Sequence, residues 1–110
     1  MKAIIYNYKI WINEIEPKKL VPILNELLHK SDYKVLNFVE HNFSPQGYTC
    51  LWLLAESHLA LHTFPEENKS YIELSSCNEI NNHSFIEKIN SWIKENGLES
   101  KSAKQQITKP

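Results

Sequence analysis

Hydrophobic and polar positions change period several times along the chain, and each change marks an element. Residues 2–13 (KAIIYNYKIWIN) alternate and are rich in β-branched and aromatic side chains, which predicts a strand. Residues 17–30 (PKKLVPILNELLHK) carry Leu20, Leu24, Leu27 and Leu28 at helical spacing. Pro17 suits a first helical turn, whereas Pro22 predicts a delayed start or a kink. Residues 33–43 (YKVLNFVEHNF) alternate again, with Val35, Val39 and Phe43 on one face, and SPQG at 44–47 signals a turn. Residues 48–56 (YTCLWLLAE) are nearly all apolar, the pattern of a central strand covered on both faces. Two more strands are expected at 58–64 and 70–77, separated by PEENK. Residues 83–96 place Phe85, Ile86, Ile89, Trp92 and Ile93 on one helical stripe, and Gly97 is a helix stop.

The order strand, helix, strands, helix predicts an α+β fold: a two-layer sandwich with an antiparallel sheet and two helices packed on one face. One domain is expected over residues 1–97. The stretch 98–110 is polar and lacks aromatics, so a disordered tail is expected there.

Composition narrows the function classes. The chain of 110 residues is 42% hydrophobic and 23% charged, with 12 basic and 13 acidic residues and a net charge of -1. Such a balance gives no electrostatic footprint for nucleic acid or an anionic membrane surface. No run approaches the length of a membrane span. Two cysteines, Cys50 and Cys77, do not make a disulfide framework, and MKAIIYNYKIWINEIE lacks the long apolar core of a signal peptide. A cytoplasmic protein with reduced thiols is the expectation.

The stretch ESHLALHTFPE (56–66) needs explaining, because a strand requires none of Glu56, Ser57, His58, His62 or Glu66. His58 and His62 lie four apart and so share a strand face, and with Cys77 or His41 they suggest a zinc site. The tight CxxC or HExxH pairs of such sites are missing, and no metal is expected. A serine hydrolase is disfavoured, since no GxSxG elbow leads into a helix. Taken singly, Ser57, His62 and Cys77 read as ordinary strand and core residues.

Taken together they do not. FSPQGYT (43–49), AESHLALHTFPE (55–66) and IELSSC (72–77), with a cysteine twenty residues after the serine, resemble the pyruvoyl-dependent S-adenosylmethionine decarboxylase family of polyamine synthesis. The likeness spans roughly residues 33–95 as an ordered set of motifs. It implies a proenzyme that cleaves its own Glu56–Ser57 bond. The Ser57 hydroxyl attacks the Glu56 carbonyl, and elimination from the resulting ester leaves residues 1–56 as a β chain. An α chain, 57–110, then begins with a pyruvoyl group made from Ser57. That group, with no metal and no pyridoxal phosphate, would form a Schiff base with the substrate amine and act as electron sink during decarboxylation.

The same resemblance assigns proton transfer in processing to His62, support of processing to Thr49, and proton donation to the product to Cys77, whose thiol must therefore stay reduced. Phe43 matches an adenine-stacking aromatic and Glu66 a carboxylate for the ribose hydroxyls. Phe64 stands where bacterial members carry tryptophan, and SSCN replaces a sequence more like FTCG. Tyr6, Tyr8 and Trp11 are candidates for a second aromatic. The implied product is decarboxylated S-adenosylmethionine for spermidine synthesis, made by a homodimer of processed protomers with sites near the interface. Two other readings stay open: an ornithine or arginine decarboxylase of the same chemistry, with Glu66 pairing a distal amine or guanidinium, and a binding or regulatory homologue that does not process. A regular strand would point Ser57 away from His58 and His62, so a backbone bend at 57 is expected.

Overall fold

A computed structural model describes residues 3–102 and 106–110. The sheet strands are β1 (Ile5–Ile12), β2 (Val35–Asn42), β3 (Tyr48–Leu54), β4 (Ser57–Phe64), β5 (Lys69–Ser76), β6 (Ser100–Ser102) and β7 (Gln106–Thr108). The helices are α1 (Pro17–Lys30) and α2 (Glu79–Glu95). All pairings are antiparallel, in the order β2-β3-β4-β5-β1-β6, with β7 also on β1. Lys2, the first residue of the expected N-terminal strand, lies outside the described residues.

Both helices cover one face of the sheet, as the alternation implies. Leu20, Leu24 and Leu28 of α1 and Phe85, Ile89 and Ile93 of α2 pack on Ile10, Trp52, Leu59, Leu61, Ile72 and Leu74 in a single core. Helix α1 starts at Pro17, where the missing N–H costs nothing, and the Glu16 carboxylate accepts the Lys18 N–H at 3.2 Å. It also runs through Pro22 without the expected delay. That ring is exposed, on the side of the helix away from the core. Helix α2 begins four residues before the predicted start, because the Asn78 side chain caps it by accepting the Asn81 N–H at 2.9 Å. Gly97, at φ +62, ends it as expected, with the Leu98 N–H returning to the Ile93 carbonyl.

Three expectations need correction. The apolar run in β3 is not covered on both faces: Cys50, Trp52 and Leu54 are buried under the helices, while Leu51 and Leu53 (52% exposed) lie on the outer face. The two α-helices among the described residues sit on the same side. Second, Val35, Val39 and Phe43 do not share a face. A bulge between Val35 and Asn37 shifts the register, so Val35 pairs with Leu54 and Phe38 with Trp52 on the helix side, and Val39 turns outward.

Third, the tail is not without order over its described residues. Ser100–Ser102 pairs with Ile10–Ile12 and Gln106–Thr108 pairs with Ile5–Asn7, which occupies the free edge of β1. Its polar side chains are exposed; the backbone makes the ladder. Residues 103–105 of that tail lie outside the described residues.

Candidate active site

Strands β3 and β4 are joined by the two-residue turn Ala55–Glu56, with Leu54 paired to Ser57. Glu56 has φ +56. The other non-glycine residues with positive φ among the described residues are Asp32 and Asn68, types that tolerate this region. A glutamate gains nothing there, and the backbone carries about 1–2 kcal/mol of strain. The strain sits on the residue that donates its carbonyl to the Glu56–Ser57 bond.

Ser57 is the first residue of β4 and is 6% exposed. Its Oγ accepts the Cys77 backbone N–H at 3.3 Å and donates to Ser76 Oγ at 3.2 Å. Ser76 Oγ lies 2.5 Å from the Tyr33 hydroxyl. Burial raises the Tyr33 pKa above 10.0, although its bond to Ser76 acts in the opposite direction. Ser57 and Cys77 are thus brought together across the β4–β5 ladder, at the turn end of the sheet.

A second cluster occupies the outer face near the other end of β4. Thr49 and His62 are cross-strand partners, and Thr49 Oγ1 lies 2.9 Å from His62 Nδ1. The His62 ring stacks over Tyr71, with centroids 6.3 Å apart and planes at 24°. Trp11 packs on Tyr71 at 4.9 Å and on Phe64 at 5.7 Å. Tyr71 donates to the Glu73 carboxylate at 2.6 Å, and burial followed by that bond raises its pKa. A cleft of about 520 Å³ opens beside Trp11 and Phe64 and is also lined by Glu67, Lys69 and, from the tail, Glu99 and Lys101.

Phe43 and Glu66 border this end. Phe43 is half exposed and lies edge-on to His41 with centroids 4.6 Å apart. Its N–H donates to the Gly47 carbonyl at 2.8 Å, closing the β2–β3 loop. Gly47 has φ +104, which permits that closure. Gln46 of the same loop donates to Glu66 at 3.2 Å, joining it to the 3-10 turn Pro65–Glu67.

The expected residues therefore form two groups rather than one. Ser57 points to the helix side, whereas His58 and His62 point outward. Five residues at about 3.3 Å each put Ser57 and His62 roughly 17 Å apart. The bend expected at 57 falls one residue earlier, at Glu56, and β4 is regular from Ser57 onward. Among the aromatic candidates, Tyr6 and Tyr8 face the helices and bond to Glu79 and Asn90, so Trp11 is the one beside Phe64. Tyr71, Tyr33 and Ser76 were not singled out from the sequence. Tyr71 was accessible through hairpin register, since the Phe64–Lys69 pairing sets His62 opposite it. No group of three metal-ligating side chains occurs among the described residues.

A family model described as S-adenosylmethionine decarboxylase matches residues 12–106. The chain belongs to the S-adenosylmethionine decarboxylase family. Among curated relatives of this family, the S-adenosylmethionine decarboxylase proenzyme of Prochlorococcus marinus (strain MIT 9313) is 47% identical over 45 residues, 41% of this chain and 36% of the relative. The proenzyme of Pelotomaculum thermopropionicum is 30% identical over 97 residues, 88% of this chain and 69% of the relative. The strongest local matches thus span well under half the length of the relatives. The crystal structure of the adenosylmethionine decarboxylase of Aquifex aeolicus superposes with a TM-score of 0.68 at 15% identity, covering 94% of this chain and 91% of that one, which shows a shared fold. No helix among the described residues is long and apolar enough to cross a membrane.

Proposed function

We propose that this chain is a self-processing, pyruvoyl-dependent S-adenosylmethionine decarboxylase whose product supplies aminopropyl groups for spermidine synthesis. The observation that carries the reading is the left-handed backbone at Glu56 immediately before a serine whose hydroxyl is held by two hydrogen bonds. Strain in the peptide and a fixed nucleophile are what a serine hydroxyl, weak by itself, needs to attack its own amide.

In the first step a bond forms from Ser57 Oγ to the Glu56 carbonyl carbon. The peptide C–N bond breaks, and the hydroxyl proton ends on the freed nitrogen. In the second, the Cα proton of residue 57 leaves and its Cβ–O bond breaks, releasing residues 1–56 with a carboxylate end. Water then replaces the nitrogen of the remaining enamine as ammonia, which leaves the pyruvoyl carbonyl.

The residues around position 57 fit such a group, since the strand end is buried and the Cys77 N–H is aimed at it. The carbonyl supplies an electron sink for loss of carbon dioxide from an α-amino acid. In this reading Cys77 returns a proton to the substrate carbon, Phe43 and Phe64 border the base, and Glu66 takes the ribose hydroxyls. Thr49 fixes the His62 ring through Nδ1, leaving Nε2 to exchange protons.

Ser57 and His62 cannot meet within one chain, so the reading requires a homodimer. Val39, Leu51 and Leu53 lie exposed on the outer face that also carries Thr49 and His62. Two copies packed through these faces with strands running oppositely would bring the His62 end of each to the outer side of the backbone at the Ser57 end of the other, opposite the buried hydroxyl. Sheet-on-sheet packing would also cover the apolar residues that the helices leave bare.

Intact mass under denaturing conditions, followed by assay with carboxyl-labelled substrates, tests the proposal. Two fragments, 1–56 and 57–110, and release of labelled carbon dioxide from S-adenosylmethionine are expected. One persistent full-length chain would overturn self-processing. Release from ornithine or arginine instead would overturn the substrate assignment.

A further inference from the structure

The Ser57 hydroxyl is the first member of a hydrogen-bonded chain that runs away from the outer face and into the core. Its proton points to Ser76 Oγ, 3.2 Å away, and Ser76 Oγ lies 2.5 Å from the Tyr33 hydroxyl. Ser76 is fully buried and Tyr33 nearly so. Ser76 Oγ also accepts the Asn78 N–H at 3.1 Å and approaches the Asn78 carbonyl at 3.3 Å. Ser76 has one proton and two lone pairs; with the Ser57 hydroxyl and the Asn78 N–H both donating to it, its own proton is directed to the Tyr33 oxygen.

The chain is anchored at its far end. Tyr33 follows directly on α1: its N–H donates to the Leu28 carbonyl at 3.0 Å, and Asp32 turns the backbone at φ +64. Asn81, in the first turn of α2, donates to the Asp32 carbonyl at 3.3 Å. The Tyr33 hydroxyl is therefore positioned by the C-terminus of one helix and the N-terminus of the other. In a buried site such a chain polarises its first hydroxyl and restricts its rotamer.

We infer that Tyr33 and Ser76 are positioning residues for self-cleavage, holding the Ser57 hydroxyl with its proton on Ser76 and a lone pair free for the Glu56 carbonyl. The inference rests on the proposed self-processing. During attack the Ser57 proton ends on the nitrogen freed as the Glu56–Ser57 C–N bond breaks, and Ser76 and Tyr33 keep their own protons. Tyr33 is too well buried to act as a base; it acts through Ser76. The assignment is specific to formation of the ester and makes no demand on the elimination that follows.

The experiment is a time course of intact mass on freshly purified full-length chain, with and without hydroxylamine, which cleaves an ester and leaves an amide alone. Wild type, Tyr33→Phe and Ser76→Ala are compared, with folding checked by circular dichroism and a cooperative melt. Each folded variant should cleave about two- to tenfold more slowly than wild type, the range attached to one hydrogen bond of ordinary strength. Hydroxylamine should not restore the rate, because the slow step precedes the ester. Variants that cleave at the wild-type rate would overturn the inference and leave self-processing standing. Rescue by hydroxylamine would also overturn it, placing the defect after the ester. A wild-type chain that stays whole in both conditions would overturn self-processing itself. Should Tyr33→Phe fail to fold, Ser76→Ala decides by the same criteria.

Discussion

Glu56 joins a backbone conformation suited to glycine with a side chain that gains nothing from it. Relaxing that conformation should therefore separate stability from reactivity. In a Ser57→Ala background, where the chain stays whole, Glu56→Gly should stabilise the fold by about 1 kcal/mol in urea titration, because glycine enters the left-handed region without a clash. In the wild-type background the same change should slow cleavage by mass. A destabilised Glu56→Gly protein would show that the turn stores no strain.

Cys50 gives a second residue-scale prediction. Burial raises its thiol pKa from 9.0 to about 12, with Glu40 pushing the same way and Tyr48 opposing. Between those values the folded chain keeps a proton that the unfolded chain has lost. Stability is therefore whole below about pH 9 and falls as pH rises toward 12, by at most about 1.4 kcal/mol per unit from this group. Tyr8, raised by burial to about 12, adds to the fall above pH 10. Urea midpoints should be level to about pH 8 and then decline, and Cys50→Ala should flatten the first part of the decline. A thiol reagent at neutral pH should label Cys77, which is partly exposed, well before Cys50.

At the scale of elements, Asn78 and the tail make the test cases. Asn78 satisfies the Asn81 N–H at the start of α2, so Asn78→Ala should cost about 1 kcal/mol and lower the melting temperature by several degrees. The tail pairs with β1 along both of its described strands. Removing residues 98–110 should bare the β1 edge, lower the melting midpoint and promote association seen by light scattering. The tail also lines the cleft beside Trp11 and Phe64 through Glu99 and Lys101, so its loss should change substrate affinity more than the cleavage rate.

At the scale of the whole molecule, the sheet has one face under helices and one face bare. Val39, Leu51 and Leu53 stand exposed on the bare face, with no cover from the described residues. If the proposed dimer forms through this face, Leu53→Glu, alone or with Val39→Glu, should shift it to monomer in size-exclusion chromatography with light scattering. In the proposed arrangement the monomer would fold but cleave slowly, having lost the partner's His62. A monomer that cleaves at the wild-type rate would overturn the shared site.

The sequence alone determined the elements. Alternation in β1, the leucine spacing of α1, the stripe of α2 and the stop at Gly97 are local patterns, readable because side-chain direction follows backbone period. It also determined the family, since motifs at fixed spacing survive where single residues say little. Three things belonged to the tertiary structure. The bulge after Val35 turned Val39 outward, a register effect invisible without the partner strand. The order of the tail came from an open edge on β1, 88 or more residues away in sequence, and its own polar composition gave no sign of it. The division of the site was the largest difference. Ser57 and His62 are five residues apart in sequence, and an odd separation on a regular strand puts them on opposite faces, so only the pairing of β4 could decide whether the strand stayed regular.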